Sequence, residues 1–237
     1  MTILRIKRNT SLVEEVCVQL AGEIRSELSN GDGWLPPERE LAEKLGVSRP
    51  VVREATKRLE LQGLLEVRHG IGTKVVDRLH APLNGSLSLL IPDAAERLKK
   101  SLEVRAVIEP EVARFAAERA SASQLRELRK IHGRMEDATD VVAAAEADFE
   151  FHRALASASG NEMFLLILDS LADLGRESRH ATISFAGVGR AVAHHAAILE
   201  AVERRAAKTA AASMQQHLKA ATEDLLAKLG EKRKTNT

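Results

Sequence analysis

Gly46-Val-Ser-Arg-Pro-Val-Val-Arg-Glu-Ala-Thr-Lys-Arg-Leu-Glu-Leu-Gln62, closed by Gly63, is the stretch on which the fold turns. Ser48 is suited to cap the start of a helix over Arg49 to Gln62, and Gly63 to end it. At helical spacing Val51, Val52, Ala55 and Leu59 supply an inward surface. Arg49, Arg53 and Lys57 recur at i, i+4 and i+8 on another face, with Arg58 flanking them and only Glu54 opposing them in the first three turns. Such a helix can lie in a major groove, where arginine pairs with guanine O6 and N7 and either cation pairs with phosphate. The plain alternative is a solvated basic face. The flanking segments decide between them.

Upstream, Pro36-Pro37 opens a short helix over Glu38 to Leu45 that stops at Gly46. Two short helices joined by a glycine-containing turn form a helix-turn-helix. Arg39 on the first of them would approach the DNA backbone, and Ser48 can hydrogen-bond phosphate at the start of the second. Before them, Ser11-Leu-Val-Glu14 reads as a capping box for a helix with the apolar stripe Leu12, Val16, Leu20, Ile24 and Leu28, ended by Asn30-Gly-Asp-Gly33. After them, Leu64 to Val67 and Thr73 to Val76 are β-prone runs around Arg68-His-Gly-Ile-Gly72, whose glycines permit a tight hairpin. Cap, turn, helix and hairpin in this order describe a winged helix-turn-helix.

Composition limits the rest. A chain of 237 residues suits two modest domains. Aromatics are only 3% and tyrosine is absent, which favours helices packed through small aliphatic contacts over a β-sandwich. One cysteine, Cys17, excludes an internal disulfide and a multi-cysteine zinc module; it fits a reducing cytosol and is read as structural. No apolar run approaches the roughly 18 residues of a membrane span. Met1 to Thr10 carries basic residues without a following apolar stretch, so no secretory signal is expected. Net charge is only +1, so nucleic-acid binding has to be argued from local pattern.

Residues 77–94 mix Pro, Gly, Asn and Ser with apolar residues and read as a linker. From Glu96 to about Lys228 only amphipathic, helix-length runs occur, punctuated at Ser121, Thr139, Gly160-Asn161 and Gly187-Val-Gly189, so about six helices are expected. The expected architecture is therefore mainly α: a winged helix-turn-helix over 8–76, a linker over 77–94, and an all-α antiparallel helical bundle over 95–230.

Four polar residues fall where the bundle should be apolar. Asp148 and His152 are one turn apart, flanked by the core-facing Phe149, Leu155 and Ala156. Val188, Val192, His195, Leu199 and Val202 form one stripe, which places His195 inward and turns His194 aside; Met214, His217, Leu218, Ala221 and Leu225 form another. A lone inward histidine is more often a satisfied core residue than a ligand. Three of them with an aspartate can instead place three imidazole nitrogens and an oxygen around one divalent cation. Arg105 is four residues before Glu109, and periodicity leaves open whether it makes a surface ion pair there or points inward.

Leu35-Pro-Pro-Glu-Arg-Glu-Leu-Ala42, Gly46-Val-Ser-Arg-Pro-Val-Val-Arg-Glu-Ala55 and Arg68-His-Gly-Ile-Gly-Thr73 resemble the signature of the GntR family of bacterial transcription regulators. That resemblance implies that Arg39, Ser48, Arg49 and Arg53 touch phosphates and bases, and that His69 and Gly70 at the wing tip reach the minor groove. The family often has an aromatic where this chain has Lys74. Glu103-x-Arg105, Asp148-x-x-x-His152, Ser159-Gly-Asn161, His195-x-x-Ile198 and His217-Leu218 are similar to the FCD effector domain of the FadR-type subgroup. In metal-containing members the matching Asp and His positions bind the ion, which implies Asp148, His152, His195 and His217 as ligands, with zinc first and nickel or manganese as alternatives. The resemblance also implies that Arg105 binds an effector carboxylate.

The function expected from these features is an effector-responsive regulator, a repressor of a catabolic operon controlled by a small organic acid. It would act as a homodimer on a pseudo-palindromic double-stranded operator, because one recognition helix reads only a few base pairs. A metal-dependent enzyme of the helical-bundle class is the competing reading. Against it, the chain lacks His-Glu-x-x-His, and Glu177-Ser-Arg-His180 is the bundle's only Glu-x-x-His where a di-iron site needs two. A purely architectural DNA-binding protein would not require inward Asp and His.

Overall fold

The computed structural model describes residues 11–28, 33–68, 70–76, 87 and 89–235. The chain divides into two compact units, Met1–Pro82 and Leu83–Thr237. Most of the expected linker lies outside the described residues, as does His69.

In the first unit, α1 (Leu12–Leu28) starts where Ser11 Oγ accepts the Glu14 N–H at 3.1 Å. A two-residue strand, β1 (Trp34–Leu35), precedes α2 (Glu38–Leu45). Gly46 at φ +64° closes α2 in the left-handed conformation that glycine adopts without Cβ strain. Helix α3 (Arg49–Leu61) follows, with Ser48 at its N-cap in extended conformation and Pro50 in its first turn. Strands β2 (Leu65–Arg68) and β3 (Gly72–Val75) make the wing. All three strands form one antiparallel sheet in the order β1-β3-β2. Val16, Leu20, Ile24, Leu41, Val52, Ala55, Leu59, Leu65 and Val75 make the core of this unit.

Three details differ from the sequence expectation. Leu12 is 40% exposed, so the apolar stripe of α1 begins at Val16. The wing strands are shifted by one residue, and β1 was not anticipated because two residues carry no alternation to read. That strand places Trp34 opposite Lys74 and against Gly72, where an added Cβ would lie 3.3 Å from the indole. An aromatic therefore packs on the wing from across the sheet, with Arg68 over its ring at 5.7 Å.

In the second unit residues 94–235 form seven helices joined by short turns: α4 (Ala94–Arg119), α5 (Ala122–Glu136), α6 (Val141–Ala158), α7 (Glu162–Ser170), α8 (Ala172–Ala186), α9 (Val188–Glu203) and α10 (Ala207–Thr235). Side-chain caps start several of them: Asp93, Asp140 and Asn161 accept backbone N–H groups of Glu96, Ala143 and Met163, and Ser121 makes a complete capping box with Gln124. Seven helices replace the expected six because the run after Gly160 breaks at Leu171 (φ −106°, ψ 12°), where neither glycine nor proline marks the turn. Long α4 packs along α10, and α6 packs on α4, α5 and α8. Phe151, Leu155, Ile198, Val202, Met214 and Leu218 fill the centre, with Ala113, Ala116, Ala117 and Ala156 allowing close helix approach. No helix among the described residues is long and apolar enough to cross a membrane.

Candidate metal centre and nucleic-acid interface

On the winged unit, packing of Val52, Ala55, Thr56 and Leu59 inward leaves Ser48, Arg49, Arg53 and Lys57 exposed. The Ser48 side chain makes no cap hydrogen bond, so α3 begins with an exposed hydroxyl beside its first N–H groups. Arg39 is also exposed, 3.9 Å from Glu43. Gly70 sits at φ +77° in the turn between β2 and β3, next to exposed Ile71.

The charge pattern of α3 has a partner that its own sequence does not contain. Arg53 Nε donates to Glu38 Oε1 at 3.0 Å, and Arg53 Nη2 donates to Glu38 Oε2 at 2.8 Å. The hydrogen bond from Arg53 holds the Glu38 carboxyl below its ordinary range. Glu38 lies in the first turn of α2, fifteen residues upstream, and only the packing of α2 on α3 brings the two together. The fork links the exposed Arg53 guanidinium of α3 to the start of α2.

In the helical unit, α6 carries Asp148 and His152, α9 carries His195, and α10 carries His217. All four are buried, and one ligand atom from each lies within 4.8 Å of the others. Asp148 Oδ2 is 3.3 Å from His195 Nε2, and Asp148 Oδ1 is 3.5 Å from His152 Nε2. The three imidazole rings lie 4.8 to 5.2 Å apart between centroids, and Phe151 stacks on His195 at 4.6 Å. His194 is only partly buried and lies outside this set, its ring 5.7 Å from that of His217.

These residues fit a divalent cation. His152 Nε2 and both ring nitrogens of His195 are buried without a hydrogen-bond partner, an expensive condition for polar atoms in an interior. Metal–ligand bonds of about 2.0–2.2 Å put neighbouring ligands roughly 2.8–3.6 Å apart, from octahedral to tetrahedral angles, so the Asp148–His195 edge matches and the wider separations need closure; only a shell larger than four would leave a position for a further donor. Burial drives the His195 imidazole down to about 3, against the pull of Asp148. Burial also lowers His152 and holds His217 well below the ordinary range. Neutral imidazoles with available lone pairs result. Burial opposes ionisation of Asp148; in acid, where the histidines are protonated, their charge and that of Arg179 outweigh it, and this carboxyl stays below its usual range.

Around the four lie two residues that the sequence does not connect with the cluster. Arg179 of α8 donates through Nε to Asp148 Oδ1. Glu109 of α4 accepts from Arg105 Nε at 2.5 Å and meets His152 Nδ1 with its other oxygen. The Arg105–Glu109 pair does form, but both side chains are buried at 3% and 1% exposure, so it is no surface pair. Arg105 faces the interior with Glu109 between it and His152. One cavity of about 30 Å³ is lined by Asp148, Thr182, Arg190, His194, His217 and Asp224. A second, of about 10 Å³, borders Arg105, Glu109, His152, Arg153 and Arg179. Each has room for little more than a water molecule or two.

Comparison with known proteins accounts for both units. Residues 12–75 match the model of bacterial regulatory proteins of the gntR family, and residues 100–220 match the FCD domain. The chain is 33% identical over 205 residues to the HTH-type transcriptional regulator LutR of Bacillus subtilis (strain 168), covering 81% of this chain and 90% of the relative. It is 29% identical over 226 residues to the HTH-type transcriptional repressor NanR of Enterobacter sp. (strain 638), covering 90% and 83%. The solved structure of a Streptococcus agalactiae GntR superposes with a TM-score of 0.69 at 31% identity, covering 90% of this chain and 100% of that one. The chain belongs to the GntR family of bacterial regulators with an FCD domain, and it is a DNA-binding transcription regulator rather than an enzyme.

Proposed function

We propose that this regulator is a repressor of a catabolic operon whose operator affinity is set by a small carboxylate bound at a divalent ion in the helical unit. The observation that carries the proposal is the convergence of Asp148, His152, His195 and His217, buried, from three helices, with imidazole nitrogens that have no hydrogen-bond partner. Three nitrogens and one carboxylate oxygen suit zinc first, and nickel and manganese accept the same donors. When bound, the ion supplies Lewis-acid attraction for a carboxylate oxygen.

The protein's own residues do the rest. Arg179 orients Asp148, and Arg105 stands beside the smaller cavity, where a guanidinium fork suits a carboxylate. Because the cavities hold little more than water, an acid of several carbons enters only by displacing side chains from several helices. Its binding energy then favours one arrangement of the bundle over another, and the chain at 77–94 carries that bias to the DNA-reading unit. Arg39, Ser48, Arg49, Arg53 and the wing tip with His69 and Gly70 read the operator. The regulator acts as a homodimer on a pseudo-palindromic site, since one α3 spans only a few base pairs. The Enterobacter relative is itself described as a repressor, which supports that sign of control.

The test is calorimetry of small carboxylic acids selected for their effect on operator binding. Binding should vanish after chelation and weaken strongly in Arg105→Ala that is still loaded with zinc. Equal binding to metal-free protein would make the ion structural and end the cavity mechanism.

A further inference from the structure

His152 has two ring nitrogens, and the one that carries the proton decides what the other can do. Nε2 faces the cluster, 3.5 Å from Asp148 Oδ1, and has no hydrogen-bond partner. Nδ1 faces the opposite way, against Oε2 of Glu109 on α4. Both atoms are buried and within ion-pair distance of each other, but their present orientation makes no aligned hydrogen bond, and neither has a hydrogen-bond partner among the described residues. The remaining Glu109 oxygen, Oε1, accepts from Arg105 Nε. Three side chains from two helices thus form one buried row: guanidinium, carboxylate, imidazole. Glu109 contributes no atom to the four-membered ligand set, so its place is behind a ligand rather than among the ligands.

An imidazole that binds a metal through one nitrogen generally donates the N–H of the other to a carboxylate or carbonyl, which fixes the tautomer and the ring plane and raises ligand basicity. Resting on the metal reading above, we propose that Glu109, braced by Arg105, is a positioning residue that keeps the proton on His152 Nδ1 and so presents Nε2 to the ion. A carboxylate serving only as the counter-ion of Arg105 would leave the His152 tautomer to chance. Here the second oxygen meets the one nitrogen that must be protonated for the other to bind metal. Arg179 treats Asp148 in a similar way, occupying Oδ1 and leaving Oδ2 toward His195.

The experiment uses the isotopically labelled full chain, first metal-free and then loaded with zinc alone. Long-range proton–nitrogen correlation spectra, assigned by the loss of signals in His152→Gln, report which ring nitrogen carries the proton. Wild type should show the Nδ1–H tautomer of His152 before zinc and a perturbed Nε2 after it. Glu109→Gln should bind zinc about 10–100-fold more weakly in competition with a chromophoric chelator, and Glu109→Asp should recover part of that loss. An Nε2–H tautomer in the metal-free protein, zinc on Nδ1, or undiminished zinc affinity in Glu109→Gln overturns the assignment of Glu109. Should Glu109→Gln not fold, the wild-type spectra decide alone. A wild-type chain that takes up no zinc overturns the metal reading itself, and this inference with it, which separates the two failures.

Discussion

Replacing His195 by alanine removes one member of the cluster, while replacing its neighbour His194 removes none, and the difference should appear as metal-dependent stability. At a free zinc concentration one hundred times its dissociation constant, binding to the native state adds about 2.7 kcal/mol. For a unit the size of Leu83–Thr237 that corresponds to a rise in Tm of about 5–11 °C. Loss of a ligand should weaken zinc at least about a hundredfold, since outer-shell changes alone cost 10–100-fold. The same zinc concentration then adds only about 0.4 kcal/mol, or about 1–2 °C. His195 is fully buried and stacks on Phe151, so its loss also lowers Tm in the absence of metal; the zinc-induced shift, not absolute Tm, is the observable. The assay is thermal unfolding followed by circular dichroism in zinc buffer and in chelator. Trp34, the chain's only tryptophan, follows the winged unit separately by fluorescence. Wild type and His194→Ala should show the full shift and His195→Ala almost none. Equal shifts in the two variants would refute the choice between adjacent histidines.

Further outcomes follow from the two units. Arg49→Ala and Arg53→Ala should each weaken operator binding about ten- to a hundredfold with folding intact, read by anisotropy of a labelled operator; unchanged affinity in both removes α3 as the reading helix. In chelator, stability of the helical unit should be constant above about pH 6.5 and fall as pH drops toward 3. The native state lowers His195 from 6.5 to about 3 and shifts His152 and His217 the same way, so over that window the unfolded chain binds protons that the native one does not. Stability that stays flat to pH 4 contradicts the neutral buried imidazoles. Gly72→Ala should destabilise the winged unit by about 1–3 kcal/mol, seen as a lower fluorescence-monitored Tm, because φ is +147° and the new Cβ would press on Trp34; an unchanged Tm argues against that packing.

How much of this was legible in the sequence depends on the range of the interactions. Helical period alone separated His195 from His194 and put Asp148 and His152 on one face, and the four side chains do meet in one buried cluster. The cap, turn and glycine signals around Ser48 and Gly63 likewise delimit α3 to within a residue. Residues whose role depends on a distant partner were not visible. Glu38 meets Arg53 across fifteen positions and Arg179 meets Asp148 across thirty-one, and no local pattern encodes either pair. Glu109 was noticed only as a neighbour of Arg105 on one helix, because its second contact, with His152, belongs to the packing of α4 on α6. The break at Leu171 escaped for a different reason: a helix can end on an ordinary residue when the packing around it requires a turn.

If the buried cluster controls DNA binding through a metal-dependent acid site, operator affinity must respond to the acid only when the metal is bound. The most direct test is the affinity of a selected operator measured with and without the active carboxylic acid, in matched zinc-loaded and chelated samples. The acid should change operator affinity in the zinc-loaded protein and leave the chelated protein unaffected, although both bind DNA. An equal response in the two samples would contradict the account.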